Sequence, residues 1–194
     1  MSESVSMLGD TYAVLADLWC SPQDSDPVEL RHRVGEVLRE LGQSNPEVAD
    51  ALLRFLVEPV AEEEYVDLFE LDPRCALYLG SHSFDEPTTC AQAGVSDRNG
   101  YMIELRAIYG HMGLTAEPGE LPDYLPLMIE FLSLTADSND PIRRKLITEY
   151  MLPFLAPMRS RLEDLQSPYL HLLDALERVL RLDTGAETTG AIRV

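Results

Sequence analysis

An all-α fold, a single compact domain of about eight or nine helices, is predicted by three observations. Apolar residues recur at 3.6-residue spacing along most of the chain. Capping residues followed by proline mark four separate helix starts. No sustained apolar–polar alternation offers a strand. A length of 194 residues, 45% of them hydrophobic, suffices for one substantial core.

Leu8, Tyr12, Leu15, Leu18 and Trp19 form the stripe of a first helix that ends before Ser21-Pro22. Asp26-Pro27 opens a second, with Leu30, Val34, Val37, Leu38 and Leu41 on one face and Gly42 as its stop. Asn45-Pro46 opens a third, carrying Leu52, Phe55 and Leu56. The stretch from Glu58 to Phe84 follows. Ala61, Tyr65, Leu68 and Phe69 share one helical face there, and Pro73 stops the helix because it disfavours a helical Asp72. Leu77, Tyr78 and Leu79 come next in an irregular apolar run, then a long loop over residues 80–96. Ser96 is expected to cap a helix bearing Tyr101, Met102, Leu105, Ile108, Tyr109 and Met112, ended by Gly113.

In the link Thr115–Pro126, Asp123 is expected at the N-cap of the following helix, with Pro126 in its first turn. Leu125, Met128, Ile129 and Leu132 then face the core. Asp140-Pro141 begins a stripe of Ile142, Leu146, Ile147 and Tyr150, and a separate stripe has Leu155, Met158, Leu162 and Leu165. Ser167-Pro168 opens the last, with Leu172, Leu173, Leu176, Val179 and Leu180. The domain is expected to cover residues 1–183, with 184–194 a disordered tail.

The formal net charge of −19 disfavours nucleic acid and anionic lipid as partners. The charge is uneven. Residues 1–30 hold six acids and no base, 58–86 nine against one, and 117–136 four and none, whereas 137–183 is close to neutral. Such blocks either form a solvated surface or converge on a face for a cationic partner. There is no run long enough for a membrane span and no secretory pattern in MSESVSMLGD. The three scattered cysteines suggest neither disulfides nor structural zinc, so a cytoplasmic location is expected.

Nothing points to catalysis. A phosphate-binding glycine loop, a GxSxG elbow and HExxH are all missing, and no two histidines share a ligand spacing. Glu62, Glu63 and Glu64 point in three directions on a helix and cannot converge on one ion. The expectation is a non-enzyme without cofactor or metal. An aromatic seam with acidic walls suits a peptide carrying apolar and basic residues instead.

Three motifs occur in order within residues 60–134: EEYVDLFELDPRCALYLGSH, RNGYMIELRAIYGHMGL and GELPDYLPLMIEFL. Together they resemble the redox-enzyme maturation chaperones of the NarJ, TorD and DmsD type, most closely the NarJ-like branch. Tyr124 stands where that family often has histidine. The resemblance implies a TorD-like helical fold and a cytoplasmic assembly chaperone. Its partner would be the N-terminal segment, often a twin-arginine signal or its remnant, of a molybdoenzyme catalytic subunit such as nitrate reductase. It would support molybdenum cofactor insertion before export or membrane attachment, with proteins of cofactor biosynthesis as further partners. The motif positions single out Tyr65, Leu68, Phe69 and Tyr78 as an apolar wall, Glu120, Asp123 and Tyr124 as a polar rim, and Arg98 as a partner for rim or peptide. The competing reading is an acidic helical interaction or regulatory module without a redox client.

Overall fold

The structure, a computed structural model, describes residues 2–57, 60–84 and 96–185. In chain order these form α1 (Ser2–Trp19), α2 (Pro27–Ser44), α3 (Pro46–Val57), α4 (Glu62–Phe69), a 3₁₀ turn (Leu79–His82), α5 (Asp97–His111), α6 (Leu125–Leu134), α7 (Pro141–Lys145), a π turn (Leu146–Met151), α8 (Leu152–Asp164) and α9 (Tyr169–Thr184). Among the described residues no strand occurs; a single isolated bridge joins Tyr78 to Tyr124.

The helix starts follow the local chemistry. Asp26 accepts hydrogen bonds from the Val28 and Glu29 amides, Ser96 from Asn99 and Asp140 from Ile142. Just before the last helix, whose N-cap is Pro168, Ser167 accepts from the Tyr169 amide at 3.3 Å. Asp72 adopts a left-handed φ of 52° just before Pro73, though α4 already ends at Phe69.

Two stripes expected as separate helices are continuous from Pro141 to Asp164. Pro153 has no N–H to give the Glu149 carbonyl, so the chain widens into a π turn in which the Leu152 amide reaches Ile147.

The packing brings distant segments together. α1 lies along α6, and α9 packs against α3 and α8. One buried cluster runs from Tyr12 in α1 to Leu180 in α9. At its edge Arg143, itself buried, donates to Asp183 Oδ1 (2.7 Å), Thr135 Oγ1 (3.2 Å) and the Leu132 carbonyl (3.3 Å). The Tyr12 hydroxyl donates to Asp183 Oδ2 at 2.8 Å. This network ties the end of α9 to α1, α6 and α7. The last helix therefore includes Thr184, which is buried, and stops at Gly185, where φ is +70°. The rest of the expected tail, 186–194, lies outside the described residues, as does 85–95 of the expected loop.

Asp183→Ala leaves the Arg143 guanidinium buried without a counter-charge. The expected cost is about 3–5 kcal/mol of unfolding free energy, read from urea denaturation followed by circular dichroism.

Candidate functional site

The two segments singled out by the motifs meet directly. The Leu79 amide donates to the Asp123 carbonyl (3.0 Å) and the Leu125 amide to the Leu77 carbonyl (2.9 Å). This short antiparallel pairing sets the Tyr78 and Tyr124 rings 5.4 Å apart, tilted at 39°. Because backbone hydrogen bonds close the gap, no peptide can enter between 77–79 and 123–125. The apolar wall and the polar rim singled out by the motifs are thus in direct contact along these residues.

Asp123 is not the N-cap; Tyr124 is, and α6 begins at Leu125. The Asp123 side chain, 0% exposed, turns inward, and its Oδ2 accepts the Gly80 amide at 3.0 Å. A Cβ on residue 80 would lie 2.8 Å from that oxygen and 3.3 Å from the Tyr101 ring. Glycine is thus required by close approach. Arg98, at the start of α5, brings Nη2 to 3.9 Å from the same oxygen. Among the described residues Asp123 Oδ1 and Arg98 Nε have no hydrogen-bond partner. Burial lifts the Asp123 carboxyl above its ordinary range, against the lowering effects of the Gly80 amide and Arg98. The Tyr109 hydroxyl fixes the other side of the link by donating to the Pro122 carbonyl at 2.6 Å.

Tyr65, Leu68 and Phe69 are 2%, 3% and 5% exposed and belong to the core rather than to an open wall. Phe69 meets Tyr169 edge to face at 4.7 Å and Trp19 at 6.1 Å. The Tyr65 hydroxyl donates to the Trp19 carbonyl at 3.2 Å. The reason is the short α4, whose only apolar face is needed to cover α1 and α9. Tyr78 and Tyr124 remain half-buried, with Glu120 beside Tyr78. Burial and that carboxylate raise the Tyr78 phenol above its usual value. Of the eight residues singled out, Tyr78, Arg98, Glu120, Asp123 and Tyr124 thus cluster at one junction, and the other three underlie it.

An open concavity borders this junction at Glu120 and Tyr124. A cleft of about 450 Å³ lies between α1, α2 and the segment 117–134. Ala13, Ala16, Tyr124, Pro126, Leu127 and Leu134 give it an apolar lining, and Asp17, Glu117, Glu120 and Glu130 give it four carboxylates against one base, Arg33. Cys20 also lines it, its thiol pushed up to about 11 by burial and by Asp24 and Glu130. Motif reading missed Asp17, Arg33, Glu117 and Glu130. The acidic blocks at 1–30 and 117–136 were the signal for the three carboxylates, and the α1–α6 contact makes those blocks converge.

The family model described as nitrate reductase delta subunit matches residues 36–175. The chain belongs to that family. It is 31% identical over 150 residues to the nitrate reductase molybdenum cofactor assembly chaperone NarJ of Escherichia coli K12, covering 77% of this chain and 53% of that protein. It is 30% identical over 143 residues to the probable assembly chaperone NarW of the same strain, covering 73% and 57%. To the probable NarJ of Bacillus subtilis it is 27% identical over 172 residues, covering 86% and 85%. The match thus spans little more than half the length of the two Escherichia coli relatives. These delta-subunit relatives are named as assembly chaperones rather than catalysts, which accords with the non-enzyme expectation. Among the described residues no helix is long and apolar enough to cross a membrane, and no group of acidic, histidine or cysteine side chains could hold a metal ion.

Gly80→Ala pushes a methyl into the Asp123 carboxyl and the Tyr101 ring, and is expected to cost about 1–3 kcal/mol in urea denaturation. Asp123→Asn tests the raised carboxyl. The folded state holds the Asp123 proton more tightly than the unfolded chain, so this group's contribution is intact below the unfolded value near 3.8 and is lost as pH rises through the folded one. Asparagine can still accept from Gly80. The stability of the variant relative to the parent should therefore increase between pH 4 and 7, and a constant difference would assign the shift elsewhere.

Proposed function

We propose that the chain is an assembly chaperone that binds the N-terminal segment of a molybdoenzyme catalytic subunit of the nitrate reductase type. It would hold that subunit in the cytoplasm, with proteins of molybdenum cofactor biosynthesis, until the cofactor is inserted. The family and the names of its relatives support the class of activity. The observation that carries the binding mode is the acidic cleft with an apolar lining, next to the Tyr78–Tyr124 pair. Concave sites with a few charged groups set in apolar surface are suited to short segments. Guanidinium groups pair with carboxylates, often through two parallel hydrogen bonds, and also stack on tyrosine.

In this reading the peptide contacts come from Tyr124 and Glu120, with Tyr78 at the margin, and from Asp17, Glu117 and Glu130. Asp123 and Arg98 act by holding the junction that presents Tyr78 and Tyr124. Tyr65, Leu68 and Phe69 support it from below.

Isothermal titration with the first thirty residues of the nitrate reductase catalytic subunit of the source organism tests the proposal. Binding should weaken between 50 and 300 mM salt as exposed charge pairs are screened. Glu117→Gln with Glu120→Gln should lower affinity by roughly three- to tenfold without changing the melting transition. Absence of binding, or equal affinity for a peptide with its basic residues neutralised, would remove the proposal's basis.

A further inference from the structure

The acidic cleft already holds one guanidinium. Arg33 projects from α2 into it and forms an ion pair through Nη2 with Asp17 of α1. Its Nε is buried and lacks a hydrogen-bond partner among the described residues, so the guanidinium is incompletely satisfied where it sits. The pair is not sealed in. The two side chains are 38% and 33% exposed, and pairs of that kind contribute little to stability. Glu117, Glu120 and Glu130 line the same cleft, and no ion pair involves them among the described residues. Arg33 also borders a second hollow of about 250 Å³, lined by Glu36 and Glu40 of its own helix and by Asp10 of α1, with Glu36 forming exposed ion pairs with His32 and Arg39. It therefore stands between two acidic concavities and has somewhere to go.

Resting on the peptide-binding reading, we propose that the cleft is a subsite for an arginine side chain of the client and that Arg33 is its resident competitor. An incoming arginine takes Asp17 by displacing Arg33, which swings toward Glu36 and Glu40. With Arg33 in place, one of the four carboxylates is occupied and the cleft presents a reduced negative charge. Binding of a cationic segment is attenuated to that extent. Release of the client is aided by the return of Arg33, which is tethered and always at high local concentration.

The probe is a fluorescein-labelled fifteen-residue peptide with two adjacent arginines followed by an apolar run, compared with the same peptide carrying citrulline at both positions. Anisotropy titrations at low salt compare the parent with Arg33→Met, Arg33→Lys and Asp17→Asn. Arg33→Met should bind the arginine peptide roughly three- to tenfold more tightly and leave the citrulline peptide unchanged. Arg33→Lys, which keeps the charge, should remain near the parent, and Asp17→Asn should bind the arginine peptide more weakly than the parent. If the parent prefers arginine over citrulline but Arg33→Met gains nothing, the competitor role is overturned while the peptide-binding reading stands. Equal tightening by Arg33→Met and Arg33→Lys would make the effect one of shape and overturn it too. If neither parent nor variant distinguishes arginine from citrulline, the peptide-binding reading itself fails and takes the subsite with it.

Discussion

The arrangement of this molecule's candidate site depends on one buried carboxylate. Asp123 ties the irregular run after α4 to the start of α6 twice, through its carbonyl to the Leu79 amide and through its side chain to the Gly80 amide. Burying a carboxyl group is costly, and here the cost is offset by a backbone N–H and a guanidinium at 3.9 Å. The consequence is geometric. With residues 77–80 pinned, Leu77 and Leu79 are sunk into the core while Tyr78, between them, turns outward against Tyr124. Alternation along an extended backbone makes this division unavoidable.

A second set of buried charges works at the opposite end. Arg143 and Asp183, with Tyr12 and Thr135, fasten α9 to the helices that form the cleft's base. Since α1 and α6 line that cleft, their relative position matters for the carboxylates on each. The acidic residues are far apart in sequence and their mutual repulsion opposes bringing them together. The apolar contact between α1 and α6 outweighs it, helped by the Ser133 hydroxyl, which donates to the Gly9 carbonyl at 2.8 Å. A protein that accumulates like charge in one concavity at the expense of stability has a surface ready for a cation.

The helical segments were readable from the chain because each rests on local chemistry. The aspartates and serine that cap them lie next to their prolines or first turns, and the apolar stripes repeat within a few residues of one another. The errors arose where the partner was remote. Asp123 looks like a cap because aspartate before a proline-containing first turn usually is one, yet the Gly80 amide, 43 residues away, claims its side chain. Tyr65 and Phe69 look like a seam because aromatic and acidic residues alternate around α4. Only the presence of Trp19 and Tyr169 above them makes that face interior. The π turn was hidden for the opposite reason: a proline signals a break, and a helix can absorb it by widening one turn.

The sequence by itself determined the all-helical class, the capped starts, the motifs of the nitrate reductase delta subunit family and the concentration of acid in particular stretches. These are properties of neighbouring residues and of composition. The tertiary structure decided that the two motif segments pair rather than face each other across a gap, and that the usable cleft lies beside them, walled by α1 and α2. It also decided that Asp17 and Arg33, in no motif, stand among Glu117, Glu120 and Glu130. No local rule states which helices will pack. That choice is made by the fit of whole apolar faces, and it alone determines which charges share a site.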